Sequence, residues 1–90
     1  MQARIYVLGF VQGVGLRQFI KKNALSLGLK GFVRNLPDGR VEVFVQGSKE
    51  NIEKLVKICE KGTFFSDIKS VQVEWEGDSD KSVDFQILRD

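Results

Sequence analysis

Apolar positions recur along the chain with two different periods, two residues and three to four residues, and each change of period marks a boundary between elements. Ile5, Val7 and Gly9 alternate with Tyr6, Leu8 and Phe10, which predicts a first strand with both faces apolar, in the middle of a covered sheet. Leu16, Phe19, Ile20, Ala24 and Leu27 then recur at helical spacing and predict a first helix closed by Gly28, with Lys21 and Lys22 on its wet side. Lys30 to Leu36 reads as a second strand. Pro37-Asp38-Gly39 makes the turn into a third, whose Val41, Val43 and Val45 share one face while Glu42, Phe44 and Gln46 share the other. Ser48 is placed to cap a second helix, with Glu50 in its first turn, the stripe Ile52, Leu55, Val56 and Cys59, and Gly62 at its end. Val71, Val73 and Trp75 mark a fourth strand and Val83, Phe85 and Ile87 a fifth, joined by Gly77-Asp78-Ser79-Asp80.

The order βαββαββ predicts an α+β fold: a ferredoxin-like split βαβ sandwich, with two helices on one face of a mainly antiparallel five-stranded sheet. In that topology the first two long strands run parallel with the third between them, so their C-terminal ends emerge at the same edge. Gly9-Phe10-Val11-Gln12-Gly13-Val14-Gly15-Leu16-Arg17 follows the first of those ends and Asn35 lies at the other. The former has the chemistry of an anion cradle. A helix start leaves N–H groups without intrahelical partners, and Gly13 and Gly15 permit the positive φ values that turn successive N–H groups inward. Arg17 adds a planar, permanently charged fork that grips two oxygens of a phosphoryl group. Asn35 both donates and accepts hydrogen bonds, so it can hold a water in line with phosphorus without bringing a negative charge. Its bland alternative is a hydrogen bond to the backbone of the following turn.

Composition narrows the possibilities further. Ninety residues predict a single domain over 1–90. The 14 Lys+Arg against 12 Asp+Glu leave a net charge of only +2, so a charge-driven function must be local and nucleic acid is not an expected partner. Cys59 is the single cysteine and precludes an internal disulfide, which suits the cytoplasm. No apolar run reaches the length of a membrane span, and Met1 to Val11 lacks the cleavage site of a signal peptide. With no histidine in the chain, histidine general bases and histidine-bearing metal sites are excluded, and no metal or cofactor is expected. Gly13-Val14-Gly15 starts a dinucleotide fingerprint, but Gln18 occupies the third glycine position, and no Gly-Lys-Ser/Thr run supplies a nucleotide P-loop. The acids after Gly77 lack the remaining residues of a calcium loop.

Gly9-x-Val11-Gln12-Gly13-Val14-x-Leu16-Arg17, followed by Gly31-Phe32-Val33-Arg34-Asn35-x-x-x-Gly39-x-Val41 and Gly47, resembles the acylphosphatases along the length of the chain. The resemblance implies hydrolysis of the carboxyl–phosphate bond of small acyl phosphates, with catalytic Arg17 and Asn35 and a phosphate-binding loop of Gln12, Gly13, Val14, Gly15, Leu16 and Arg17. It also implies direct, metal-independent attack by water, affinity for phosphate or sulfate, and a monomeric enzyme. The chain departs from the family pattern at Leu16, where phenylalanine is usual, at Phe10, where a basic residue is frequent, and in Thr63-Phe64-Phe65-Ser66, which lacks the usual prolines. Two other readings of the same fold stand beside this one. The first is a regulatory or assembly module with an idle cradle. The second is an RNA-binding sheet that stacks bases on Tyr6 and Phe44, to which Lys30-Gly31-Phe32 lends a partial motif, on the wrong strand.

Overall fold

The structure is a computed structural model that describes residues 1–77 and 84–88. The chain runs β1 (Gln2–Phe10), α1 (Leu16–Ser26), β2 (Lys30–Asn35), β3 (Val41–Gln46), α2 (Lys49–Lys61), β4 (Asp67–Glu76) and β5 (Phe85–Leu88). One sheet holds the strands in the order β4-β1-β3-β2-β5, with β2 and β5 its parallel pair and the other neighbours antiparallel. β3 thus lies between β1 and β2, as the split βαβ reading requires. α1 packs over β2 and β5, α2 over β1 and β4, and the helices touch each other. Asp78-Ser79-Asp80 of the expected polar turn, and Val83, lie outside the described residues.

Local chemistry sets the element ends. Ser48 Oγ accepts a hydrogen bond from the Asn51 N–H at 3.1 Å, the expected cap of α2. α1 ends in a Schellman motif: the Leu29 N–H reaches Ala24 O at 2.9 Å and the Gly28 N–H reaches Leu25 O at 3.0 Å, with Leu29 buried against the core. At the other end α1 has no side-chain cap. Helix stripe and sheet face interlock: Leu16, Ile20, Ala24, Ile52, Leu55 and Cys59 bury against alternate residues of the strands, among them Ile5, Val7, Val33, Val41, Val43 and Val45.

The expectation that β1 is covered on both faces is corrected. Ala3, Ile5 and Val7 are buried under the helices, whereas Tyr6 and Leu8 are only half-buried and Phe10 is exposed. The helices cover one face, and the other is closed by side chains alone. Among the described residues only β3, in the middle of five strands, is buried on both sides. Its Glu42, 4% exposed, accepts from Arg34 Nε at 2.5 Å, from Arg4 Nη1 at 3.3 Å and from the Tyr6 hydroxyl at 3.3 Å. Arg4 Nε continues to Glu76 at 2.9 Å.

That same face bears on the RNA reading. Guanidinium groups lie over its aromatic rings, Arg4 at 4.8 Å from the Phe44 centroid, Arg40 at 4.9 Å from Tyr6 and Arg34 at 5.7 Å from Phe32. Rings so engaged offer no free platform for bases.

Candidate active site

β1 ends in a distortion that aims the chain at the site. The pairing with β4 slips between Leu8 and Gly9, so that Leu8 faces Ser70 and Gly9 faces Ile68. Gly9 sits at φ 134°, and a Cβ there would meet the Asp67 carbonyl oxygen at 2.0 Å. Glycine is therefore required where the bulge passes so near β4. Beyond it Gly13 and Gly15 take the expected positive φ, 75° and 78°, with open space around their Cα atoms, so conformation rather than room demands glycine. Gly15 occupies the N-cap position of α1, and the first helical hydrogen bond runs from the Phe19 N–H to Gly15 O at 3.1 Å. The N–H groups of Leu16, Arg17 and Gln18 precede that bond, and the first turn holds no acidic residue.

Arg17 and Asn35 meet at one cavity. It has a volume of about 170 Å³ and is walled by Gly13, Gly15, Arg17 and Asn35 together with Val11, Leu16, Gln18 and Ile87. One water takes up roughly 30 Å³, so a tetrahedral oxyanion and an attacking water fit together. Arg17 is half-buried and, among the described residues, has no carboxylate within ion-pairing distance. Asn35 Oδ1 is buried and has no hydrogen-bond partner. The bland alternative for Asn35, a backbone bond into the following turn, is thereby overturned: Asp38 makes that bond instead, its Oδ1 accepting from the Arg40 N–H at 3.1 Å. The same N–H, followed by the Arg40 side chain, holds the Asp38 carboxyl below its usual value.

Two of the loop residues make contacts beyond the cavity. Gln12 does not line the cavity with its side chain. Its amide donates to Leu36 O at 2.9 Å and to Arg40 O at 3.0 Å, clamping the β2–β3 turn, and with it Asn35, to the cradle loop. Val14 is also absent from the wall, and its carbonyl accepts from Thr63 Oγ1 at 3.5 Å. Thr63 belongs to a small closed turn, in which its N–H donates to Ser66 Oγ at 2.8 Å and its carbonyl accepts from the same hydroxyl at 3.0 Å. Sequence reasoning assigned that turn nothing and missed Ile87 and Gln18 in the wall. The alternation of the fifth strand marks Ile87 as inward-facing, but only the β2–β5 pairing brings it to Asn35's end of the sheet. Leu16 is buried behind the cradle, as its place in the helical stripe predicts. The Cys59 thiol is pushed up to about 12 by burial and takes no part. Among the described residues no helix is long and apolar enough to cross a membrane.

The family model described as Acylphosphatase matches residues 3–87. An acylphosphatase of Methanococcoides burtonii is 47% identical over 87 residues, covering 97% of this chain and 91% of its own. The crystal structure of acylphosphatase from Bacillus subtilis superposes with a TM-score of 0.93 at 34% identity, covering 97% of each chain. An acylphosphatase structure from Coxiella burnetii gives 0.89 at 32% identity, over 97% of this chain and 90% of that one. With a family match across nearly its whole length and relatives that share both sequence and fold, the chain belongs to the acylphosphatase family and is an acyl phosphate hydrolase.

Proposed function

We propose that the cradle N–H groups and the Arg17 guanidinium hold the phosphoryl group of a small acyl phosphate while Asn35 orients the water that attacks it. The water oxygen bonds to phosphorus as the bond from phosphorus to the acyl oxygen breaks, and the carboxylate leaves with that electron pair. The conjugate acid of such a leaving group has a pKa of roughly 4, so no general acid has to protonate it. Positioning and charge stabilisation then carry the catalysis, which suits a site without histidine. On this reading the reaction needs no metal ion. The residues this reading invokes come from one chain, which supports a monomer, and a lone cysteine supports a reducing compartment such as the cytoplasm. The same chemistry has inorganic phosphate and sulfate bind at the cradle.

The observation that carries the proposal is the buried, unpartnered Asn35 Oδ1 in the same cavity as an unpaired Arg17. A buried acceptor left open costs about 1 to 3 kcal/mol, and the donor missing from it is what a water supplies. The test is phosphate release from propanoyl phosphate in the presence of a chelator, with phosphate affinity measured in parallel. Asn35→Ala is expected to keep phosphate affinity within a few-fold and to lose most of kcat. Equal loss of both would reduce Asn35 to a residue that shapes the loop, and activity abolished by the chelator would overturn the metal-free scheme.

A further inference from the structure

The cradle and Asn35 come from strands that do not touch. β3 separates β1 from β2, so two inter-strand spacings of about 4.8 Å lie between the end that carries the cradle and the end that carries Asn35. The two ladders stop together on one residue of β3: Val7 faces Val41 from β1, and Asn35 faces Val41 from β2. Beyond those rungs, among the described residues, no backbone pairing joins the cradle loop to the β2–β3 turn. The turn is closed by its own backbone, with the Leu36 N–H donating to Arg40 O at 2.8 Å and the Gly39 N–H to Leu36 O at 3.1 Å. Pro37, Asp38 and Gly39 at its tip are exposed. Its internal shape is therefore fixed, whereas the sheet does not fix where it stands relative to the cradle.

The Gln12 side chain crosses that gap, its Nε2 donating to Leu36 O at 2.9 Å and to Arg40 O at 3.0 Å. Donors and acceptors match one for one. An amide nitrogen carries two hydrogens and a carbonyl oxygen two lone pairs, so each carbonyl takes one bond from the turn's own backbone and one from Gln12. Asparagine would fall one methylene short, and glutamate would set oxygen against oxygen. The main chain of Gln12 lies in the loop between β1 and α1, while its side chain ends on the turn that follows Asn35 and forms no part of the cavity wall. What the side chain sets is the distance and angle between cradle and turn. Attack on phosphorus needs the water in line with the leaving oxygen, and a misplacement of about 1 Å costs roughly a hundredfold in rate.

Resting on the reading of Asn35 above, we propose that Gln12 is a positioning residue for the hydrolysis, which ties the β2–β3 turn to the cradle and so aims the Asn35 amide, and the water on it, at phosphorus. It acts through Asn35 and not on the anion. Asn35 Oδ1 has no hydrogen-bond partner of its own, so the direction of that amide depends on how the end of its strand is held.

The test compares Gln12→Ala, Asn35→Ala and the double variant on propanoyl phosphate, with inorganic phosphate as the competitive inhibitor and each kcat taken per folded molecule from a urea titration. Gln12→Ala is expected to lower kcat by roughly tenfold to a hundredfold while the phosphate inhibition constant stays within a few-fold. The double variant is expected to keep the kcat of Asn35→Ala, because a residue that works through the amide has nothing to aim once the amide is gone. Gln12→Glu keeps length and shape but exchanges the two donors for acceptors. Its carboxylate, facing two carbonyl oxygens, takes up a proton more readily than usual, and the acid form returns one donor. Asp38, the carboxyl of that turn, is paired with Arg40 at 2.8 Å and held below its usual value, so it stays ionised meanwhile. Relative to the unmodified protein at each pH, the kcat of Gln12→Glu is expected to recover in part between about pH 7 and about pH 5, and that of Gln12→Ala is not. A phosphate inhibition constant that rises as far as kcat falls, a double variant whose loss is the product of the single losses, or a Gln12→Glu deficit that ignores pH would each overturn the proposal and leave the cradle reading standing. An Asn35→Ala variant with the kcat of the unmodified protein would overturn the reading of Asn35 and the proposal together.

Discussion

On the open face of the sheet, guanidinium groups sit against carboxylates and rings: Arg4 bridges Glu42 and Glu76, and Arg34 meets Glu42 at 2.5 Å. At the cradle, some of the same residue types are left open, with Arg17 facing no carboxylate among the described residues and Asn35 Oδ1 facing no donor. The two regions share one sheet and differ in what completes them. Charges on the open face are neutralised by the fold itself, so they serve stability and register. Polar groups at the cradle are left open by the fold, which is the arrangement expected of a site that must change partners during a reaction.

The difference predicts that variants in the two regions fail in opposite ways. Arg17→Met removes the fork at the cradle and no native ion pair. Losing a donor to the transition state costs about 3 to 4 kcal/mol, so kcat/KM for propanoyl phosphate is expected to fall by roughly two to three orders of magnitude. The urea midpoint should stay close to that of the unmodified protein. A large fall in the midpoint would show that Arg17 supports the fold, and the contrast between the regions would be lost.

Glu42→Gln is the converse. The carboxylate is nearly enclosed and serves Arg34, Arg4 and Tyr6 at once, so neutralising it leaves two guanidinium groups facing each other without their shared anion. Breaking a fully buried pair costs about 3 to 5 kcal/mol. The arginines here remain partly in water and Arg4 keeps Glu76, so a smaller loss of about 2 kcal/mol is expected by urea titration. Turnover per folded molecule should be unchanged, and a fall in kcat at full occupancy of the native state would break the comparison from this side.

The two regions were unequally legible in the sequence. The glycine turn into α1 is legible because its parts are consecutive: glycines at 13 and 15, a helix start and Arg17 lie within a few residues and each has a local mechanism. Capping by Ser48, the turn at Pro37-Asp38-Gly39 and the placing of β3 between β1 and β2 follow from equally local signals and one topological rule. On the open face, which the fold reading left free of helices, only the cover over β1 differs from expectation: apolar Tyr6 and Leu8 suggest a covered strand where arginine stems and Glu42 stand. The clamp made by the Gln12 side chain is illegible for another reason. Its partners Leu36 and Arg40 lie 24 and 28 residues away, so the clamp exists only once β2 and β3 are folded beside β1. β4 proved longer than its apolar residues suggest, running from Asp67, because an edge strand tolerates polar residues along both faces.

The smallest effect separates the regions most sharply, because its sign differs. If Asn35 is held open for a water, its amide is a cost to the folded protein in the absence of ligand. Asn35→Ala removes a buried acceptor that nothing in the fold satisfies, while the β2–β3 ladder at that position, where Asn35 faces Val41, uses only backbone groups. Deleting an unsatisfied group is worth about 1 kcal/mol or more, offset in part by the space left beside Val11 and Ile87. The ligand-free variant is therefore expected to unfold at the same temperature as the unmodified protein or a few degrees higher, measured by thermal denaturation without phosphate. A polar residue on the open face cannot show this behaviour, since each one named there already has its partner. A clear fall in the melting temperature of Asn35→Ala would mean that the amide is satisfied in the folded protein, and the cradle would then be as self-contained as the face behind it.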